Sequence, residues 1–142
     1  MSSEIHAGHR ERLRQRFSEN GFDGFQQHEI LEFVLGYAIP QKDLNPLAHE
    51  LIDRFGSLSG VLDASADDLK KVNGIGDYSA TLLSMMPGLF RVYSDSKNLK
   101  SALYTPEQIG EFLKPKFLGF KHEMIYGIFM DNKCSVLKHC RL

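Results

Sequence analysis

The chain has 142 residues, 25% of them charged and 42% hydrophobic, proportions that exclude general disorder and fit one or two small globular units. No run nears the roughly 18 apolar residues of a membrane span, and no charged-then-apolar leader opens the sequence. Two cysteines, Cys134 and Cys140, are too few for a disulfide framework, so the expectation is a cytoplasmic protein with no membrane partner.

The net charge of −1 divides unevenly. Residues 1–96 carry nine Lys/Arg against fourteen Asp/Glu, a net of −5, and residues 97–142 carry eight against four, a net of +4. Two domains are expected, 1–96 and 97–142. The first, taken whole, does not attract polyanions.

His9 to Glu19 reads as an arginine-rich helix stopped by Asn20-Gly21. Glu29 to Ile39 is apolar on most faces, which predicts a central buried helix ended by Pro40. Leu44, Leu47, Ala48, Leu51, Ile52 and Phe55 follow helical spacing, closed by Gly56. Ser57 caps a short turn through Val61 and Leu62. Ser65 caps a helix expected to reach Val72, with Asp67 and Asp68 in its first turn where the dipole favours anions. After Asn73-Gly74-Ile75-Gly76, a longer helix is predicted from Asp77 to Tyr93, kinked at Pro87-Gly88. Ser94 to Leu103 reads as a linker.

Thr105-Pro106-Glu107-Gln108 is a capping box with proline at the first helical position, and Pro115 is expected to stop the helix it opens. Two apolar runs, Met124 to Met130 and Cys134 to Leu137, flank Asp131-Asn132-Lys133 and predict a β-hairpin. A lone hairpin is marginal in water, and this second unit reads as cut short. Self-association through the hairpin, giving a homo-oligomer, is therefore expected.

Leu69, Val72, Gly74-Ile75-Gly76, Ala80 and Leu83 fit a helix-hairpin-helix pattern. The apolar positions pack two helices, the glycines permit a tight reversal, and Ala80 lets the helices cross closely. The product is a helix start whose N–H groups suit a phosphate. The candidate nucleic-acid-binding residues are Lys71, Gly74, Gly76, Asp77, Tyr78 and Ser79. Asp77 stands where a lysine would help, and Asp67 and Asp68 lie near; only Lys70 and Lys71 argue the other way. Contact with DNA is expected to be weak and directed at the backbone, because no nearby side chain suits base-edge readout.

The runs His9-Arg10-Glu11-Arg12-Leu13-Arg14, Glu29-Ile30-Leu31-Glu32, Tyr37-Ala38-Ile39-Pro40 and Arg54-Phe55-Gly56-Ser57-Leu58, leading to Gly74-Ile75-Gly76, resemble the RadC family. That resemblance implies a helical helix-hairpin-helix domain, a JAB/MPN-type metal-binding domain and a link with DNA repair. Lys121-His122-Glu123-Met124 to Asp131-Asn132-Lys133 is similar to the first strands of the second domain. The expected fold is thus mainly α, a helical domain followed by a truncated α/β JAB fragment of one helix plus a β-hairpin. The family's zinc site would be built from an early glutamate, a His-x-His-Pro motif and a later aspartate, giving zinc-dependent hydrolysis. Only Glu123 carries over, as the catalytic glutamate at the start of the first strand. The other ligands are absent before Leu142, so no metal and no cofactor is expected in this chain, with zinc reserved for complete relatives. The alternative is a protein-interaction scaffold that positions a hydrolase domain or partner without touching DNA.

Other candidates read as structural. His6 and His9 lack a third metal ligand. Cys134 and Cys140 read as ordinary strand residues and His139 as a solvent histidine. Arg10, Arg12, Arg14 and Arg16 split into two columns on a helix and favour ion pairs within the protein. His28 and His49 decorate apolar helix faces, and Tyr37 and Tyr126 read as core-edge aromatics.

Overall fold

The computed structural model describes residues 2–40, 42–98 and 102–142, with side chains of residues 2–7 and 98 left out. The chain forms two compact units, residues 1–85 and 86–142, and it is mainly helical with one small sheet.

The first unit is built from α1 (Ser2–Asn20), α2 (Gln27–Leu35), α3 (Asn45–Phe55), α4 (Leu58–Leu62), α5 (Ala66–Leu69) and the opening turns of α6 (Asp77–Asn98). Its core joins Leu31 and Leu35 of α2 to Leu47, Ala48 and Leu51 of α3, Val61, Leu69, Val72, Ala80 and Leu83. Burying each such leucine or valine stabilises the fold by about 1.5–3 kcal/mol. The spacing expected for α3 places Leu47, Ala48 and Leu51 inward, and Gly56 closes it at φ 85°, in the left-handed region. Ser57 and Ser65 cap as the sequence implies, accepting from the amides of Gly60 and Asp68. A tertiary cap joins them: the Gln27 Oε1 on α2 accepts from the Leu58 amide at 2.7 Å.

Several boundaries differ from the sequence expectation. α2 ends at Leu35, not Ile39. The amides of Tyr37 and Ala38 turn back to Val34 and Leu35 in tighter, three-residue bonds, because Ile39 precedes a proline and is driven out of the helical region. Tyr37 is 69% exposed rather than at a core edge. α5 ends at Leu69, and residues 70–74 form turns. α6 runs through Pro87 to Asn98, so Ser94 to Asn98 is helix where a linker was expected; residues 99–101 of that stretch lie outside the described residues.

The second unit holds the later part of α6, then α7 (Pro106–Leu113), β1 (Tyr126–Met130) and β2 (Val136–Arg141). Thr105 and Gln108 complete their capping box at the start of α7. Pro115 does not stop the chain's coiling; it sits inside a 3-10 turn over Lys114–Phe117. β1 and β2 pair antiparallel, Tyr126 with Arg141 and Ile128 with His139, with an irregularity at Phe129/Met130. The second strand starts at Val136, two residues later than expected, because Cys134 occupies the turn at φ 58°. Asp131 accepts there from the amides of Lys133 and Ser135. Ala102 makes an isolated bridge to Ser135.

Lys116 is completely buried in this unit. Its ammonium pairs with Asp95 and lies 4.0 Å from the centre of the Phe112 ring. His139 is not a solvent histidine: its Nδ1 is 2.9 Å from the Tyr126 hydroxyl, and its ring stacks on Tyr126 and meets the edge of Phe112. Burial pushes the Tyr126 phenol above its ordinary range, with Asp95 and then Cys140 adding to the effect.

Candidate nucleic-acid interface

The reversal between α5 and α6 is made by Val72 and Ile75, buried at 1% and 7%, with Gly74 between them at φ 99°. Only glycine takes that conformation without strain. A Cβ at Gly74 would also meet Lys42 Nζ at 3.1 Å and Leu47 at 3.6 Å. Gly76, by contrast, has open space around it, with nothing within 4 Å of where a Cβ would sit. The main chain at Gly76 is therefore sterically open on that side.

The six candidate residues fall together at this reversal, with different exposures. Asp77 and Tyr78 are exposed, Tyr78 at 88%, while Ser79 is buried at 2%. The Ser79 hydroxyl accepts from the Gly76 amide at 2.9 Å and donates to the Gly76 carbonyl at 3.1 Å. One of the expected phosphate donors is thus engaged by the protein's own side chain. That hydroxyl sits three residues after the amide it caps, a spacing readable in the sequence once Ser79 is seen to face inward.

The lysines are engaged as well. Lys70 Nζ lies 3.3 Å from both Asp67 and Asp77, and Lys71 Nζ lies 2.8 Å from Asp68. The bonds to Asp77 and then Asp67 hold the Lys70 ammonium above its ordinary range. Arg54 Nη1 reaches the Lys71 carbonyl at 3.5 Å. Lys42 was not among the candidates, and its approach to Gly74 is a long-range contact with no local signal. Four cations from three places in the sequence, Lys42, Arg54 and the pair Lys70-Lys71, thus gather at the reversal, and the two of the pair share it with carboxylates.

The arginines of α1 mostly serve the fold. Arg16 pairs with Glu29 at 2.7 Å and Arg14 with Glu11 at 2.6 Å. Arg10 donates to the carbonyls of Ile39 and Lys42. His9 lies 2.9 Å from the buried Glu32, and the His6 side chain is outside the described residues. His28 and His49 stack on each other at 4.0 Å. Glu123 is exposed and lies ahead of β1 rather than at its start, beside His122 in a shallow groove reaching Leu142. Among the described residues no group of three or more His, Cys, Asp or Glu side chains is placed to hold a metal. Nor is any described helix long and apolar enough to cross a membrane.

Comparison with known sequences places this protein in a family. Residues 6–81 match the family model described as UPF0758 N-terminal, and the chain belongs to the UPF0758 family, which is the RadC family. It is 46% identical over 147 aligned positions to UPF0758 protein FN0909 of Fusobacterium nucleatum subsp. nucleatum. That alignment takes in 97% of this chain and 63% of the relative, so the chain spans less than two thirds of the relative's length. No solved structure matches the chain significantly.

Proposed function

We propose that the first unit is a helix-hairpin-helix module of a RadC-like, DNA-repair-associated protein, and that it contacts the nucleic-acid backbone weakly at the α5–α6 reversal. The supporting observation is the open approach to Gly76 beside exposed Asp77 and Tyr78, with Lys42, Lys70 and Lys71 close by. Exposed main chain at the start of a long helix suits a phosphate oxygen. The contact reads shape and charge, and gives no base specificity. Fluorescence anisotropy with duplex and branched DNA tests it: salt-sensitive binding at low ionic strength is expected, and its absence overturns the reading. No hydrolytic step is assigned to residues 1–142.

A second reading, a protein-interaction scaffold without DNA contact, is favoured by different observations. Asp67, Asp68 and Asp77 already hold the lysines at the reversal. In the second unit Ile125, Phe129 and Leu137 are 68%, 52% and 69% exposed, which suits pairing with another chain or copy. Light scattering at high concentration tests that pairing, a strict monomer counting against it, and the absence of DNA binding in the anisotropy measurement separates this reading from the first.

A further inference from the structure

α1 and α2 leave between them a hollow of about 150 Å³ that the nucleic-acid reading does not use. Leu13, Phe33, Gly36 and Tyr37 give it apolar walls. Leu13 is 2% exposed, whereas Tyr37 is 69% exposed, so the hollow is closed at its base and accessible past the tyrosine. An apolar space of this size takes one benzene-sized group, which is the size of a single phenylalanine or leucine side chain.

Two arginines and one glutamate supply its charges. Arg10, Arg14 and Glu32 complete the lining. Glu32 is 4% exposed, and its oxygens face His9 Nε2 at 2.9 Å and Asn45 Nδ2 at 3.4 Å. Its carboxylate is therefore turned into the protein. Arg14 is more than half exposed and uses Nη2 on Glu11; Arg10 uses Nη2 on the Ile39 and Lys42 carbonyls. A guanidinium carries five donors in a fork that suits a carboxylate. From His9 to Glu19 the helix has four arginines against Glu11 and Glu19, a positive stretch in a domain whose net charge is −5.

We propose that this hollow docks an acidic peptide: one bulky apolar side chain enters between Leu13, Phe33 and Tyr37, and a neighbouring carboxylate meets Arg14. The rings favour a peptide over single-stranded nucleic acid. Phe33 meets Tyr37 edge to face at 5.5 Å and Phe22 likewise at 5.7 Å. Rings interlocked in this way offer a socket for a side chain rather than the row of flat faces on which bases stack. The site uses none of the residues of the glycine reversal, so either reading can fail alone.

The test uses the full chain, isotope-labelled for amide shifts, and three fluorescein-labelled ten-residue peptides. The first carries one phenylalanine flanked by aspartate and glutamate, the second has alanine in its place, and the third has lysine flanks. Saturable binding is expected of the first alone, with amide shifts centred on Leu13 and residues 33–37. Arg14→Glu and Tyr37→Ala, both at exposed positions, should each weaken it at least tenfold while circular dichroism stays unchanged. Should one variant unfold, the other and the peptide comparison still decide. Equal binding of all three peptides, no binding of the first, or unchanged affinity in the folded variants overturns the proposal. Oligothymidine shifting the same amides in place of the peptide would overturn it too, and would assign the hollow to nucleic acid.

Discussion

The ammonium of Lys116 meets the carboxylate of Asp95 with the two partners unequally hidden: the lysine side chain has no exposed surface, and the aspartate retains 28%. Removing either partner therefore has a different consequence. Asp95→Asn leaves a wholly buried cation facing a neutral amide, with the Phe112 ring at 4.0 Å and the Tyr126 ring at 5.9 Å as electrostatic support. Lys116→Met leaves a carboxylate that water still reaches and fills the space with an apolar chain. Breaking buried pairs costs about 3–5 kcal/mol. Asp95→Asn is expected toward that range and Lys116→Met below it, an ordering that urea denaturation of the two variants checks.

Gly60 is expected to tolerate no side chain. A Cβ there would overlap the carbonyl oxygen of Phe55, main chain that cannot swing aside. Gly60→Ala must push α4 away from the end of α3 and disturb the packing of Val61. A loss of about 1–3 kcal/mol is expected, read as a lower thermal midpoint, whereas alanine at the open Gly76 should leave the midpoint close to that of the parent.

Acid should weaken the joint between α1 and α2. The hydrogen bond from Arg16, followed by that from the Gln26 amide after a smaller opposing effect of burial, holds the Glu29 carboxyl below the ordinary range. A carboxyl lowered on folding stabilises the protein fully above its unfolded value of about 4.3, and that contribution disappears as pH falls through the lower folded value. The pair is partly exposed, so its worth is about 1 kcal/mol or less. Glu29→Gln should be less stable than the parent by that amount near pH 7, and the difference should close in the most acidic range where both still fold.

The aspartates at the reversal are expected to restrain nucleic-acid contact. Asp67→Asn with Asp77→Asn releases Lys70 from both of its partners. One additional phosphate contact steepens the dependence of log affinity on log salt by about 0.9. Anisotropy titrations across a salt series should show tighter duplex binding and that steeper slope in the double variant. An unchanged slope would tell against a role for Lys70 at the backbone.

What could be read from the residues alone was local. The period of Leu44 to Phe55 and the stop at Gly56, the serine caps at 57 and 65, and the box at Thr105 all depend on neighbours within a turn or two. The glycine reversal was legible for the same reason, since its pattern spans only residues 69–83. Apart from the element boundaries at Leu35 and Val136, which local turns set, the misses depend mainly on partners elsewhere in the chain. Lys116 lies in a stretch that looks like surface until Asp95, 21 residues earlier, and Phe112 close around it. His139 looked solvent-facing because its partner Tyr126 is reached only across the sheet. At the reversal, the three-residue spacing of Ser79 to Gly76 could have been read locally, whereas Lys42 arrives from another segment and has no local signature.

The bond from the Leu58 amide to Gln27 has a bearing on the order in which the chain assembles. Helix nucleation is costly, and five residues cannot repay it in isolation. α4 takes one of its starting acceptors from a side chain 31 positions earlier, so it gains that support only after the beginning of α2 has come alongside. The short helix is therefore expected to form late in the collapse, set in place by the longer ones rather than acting as a seed for them.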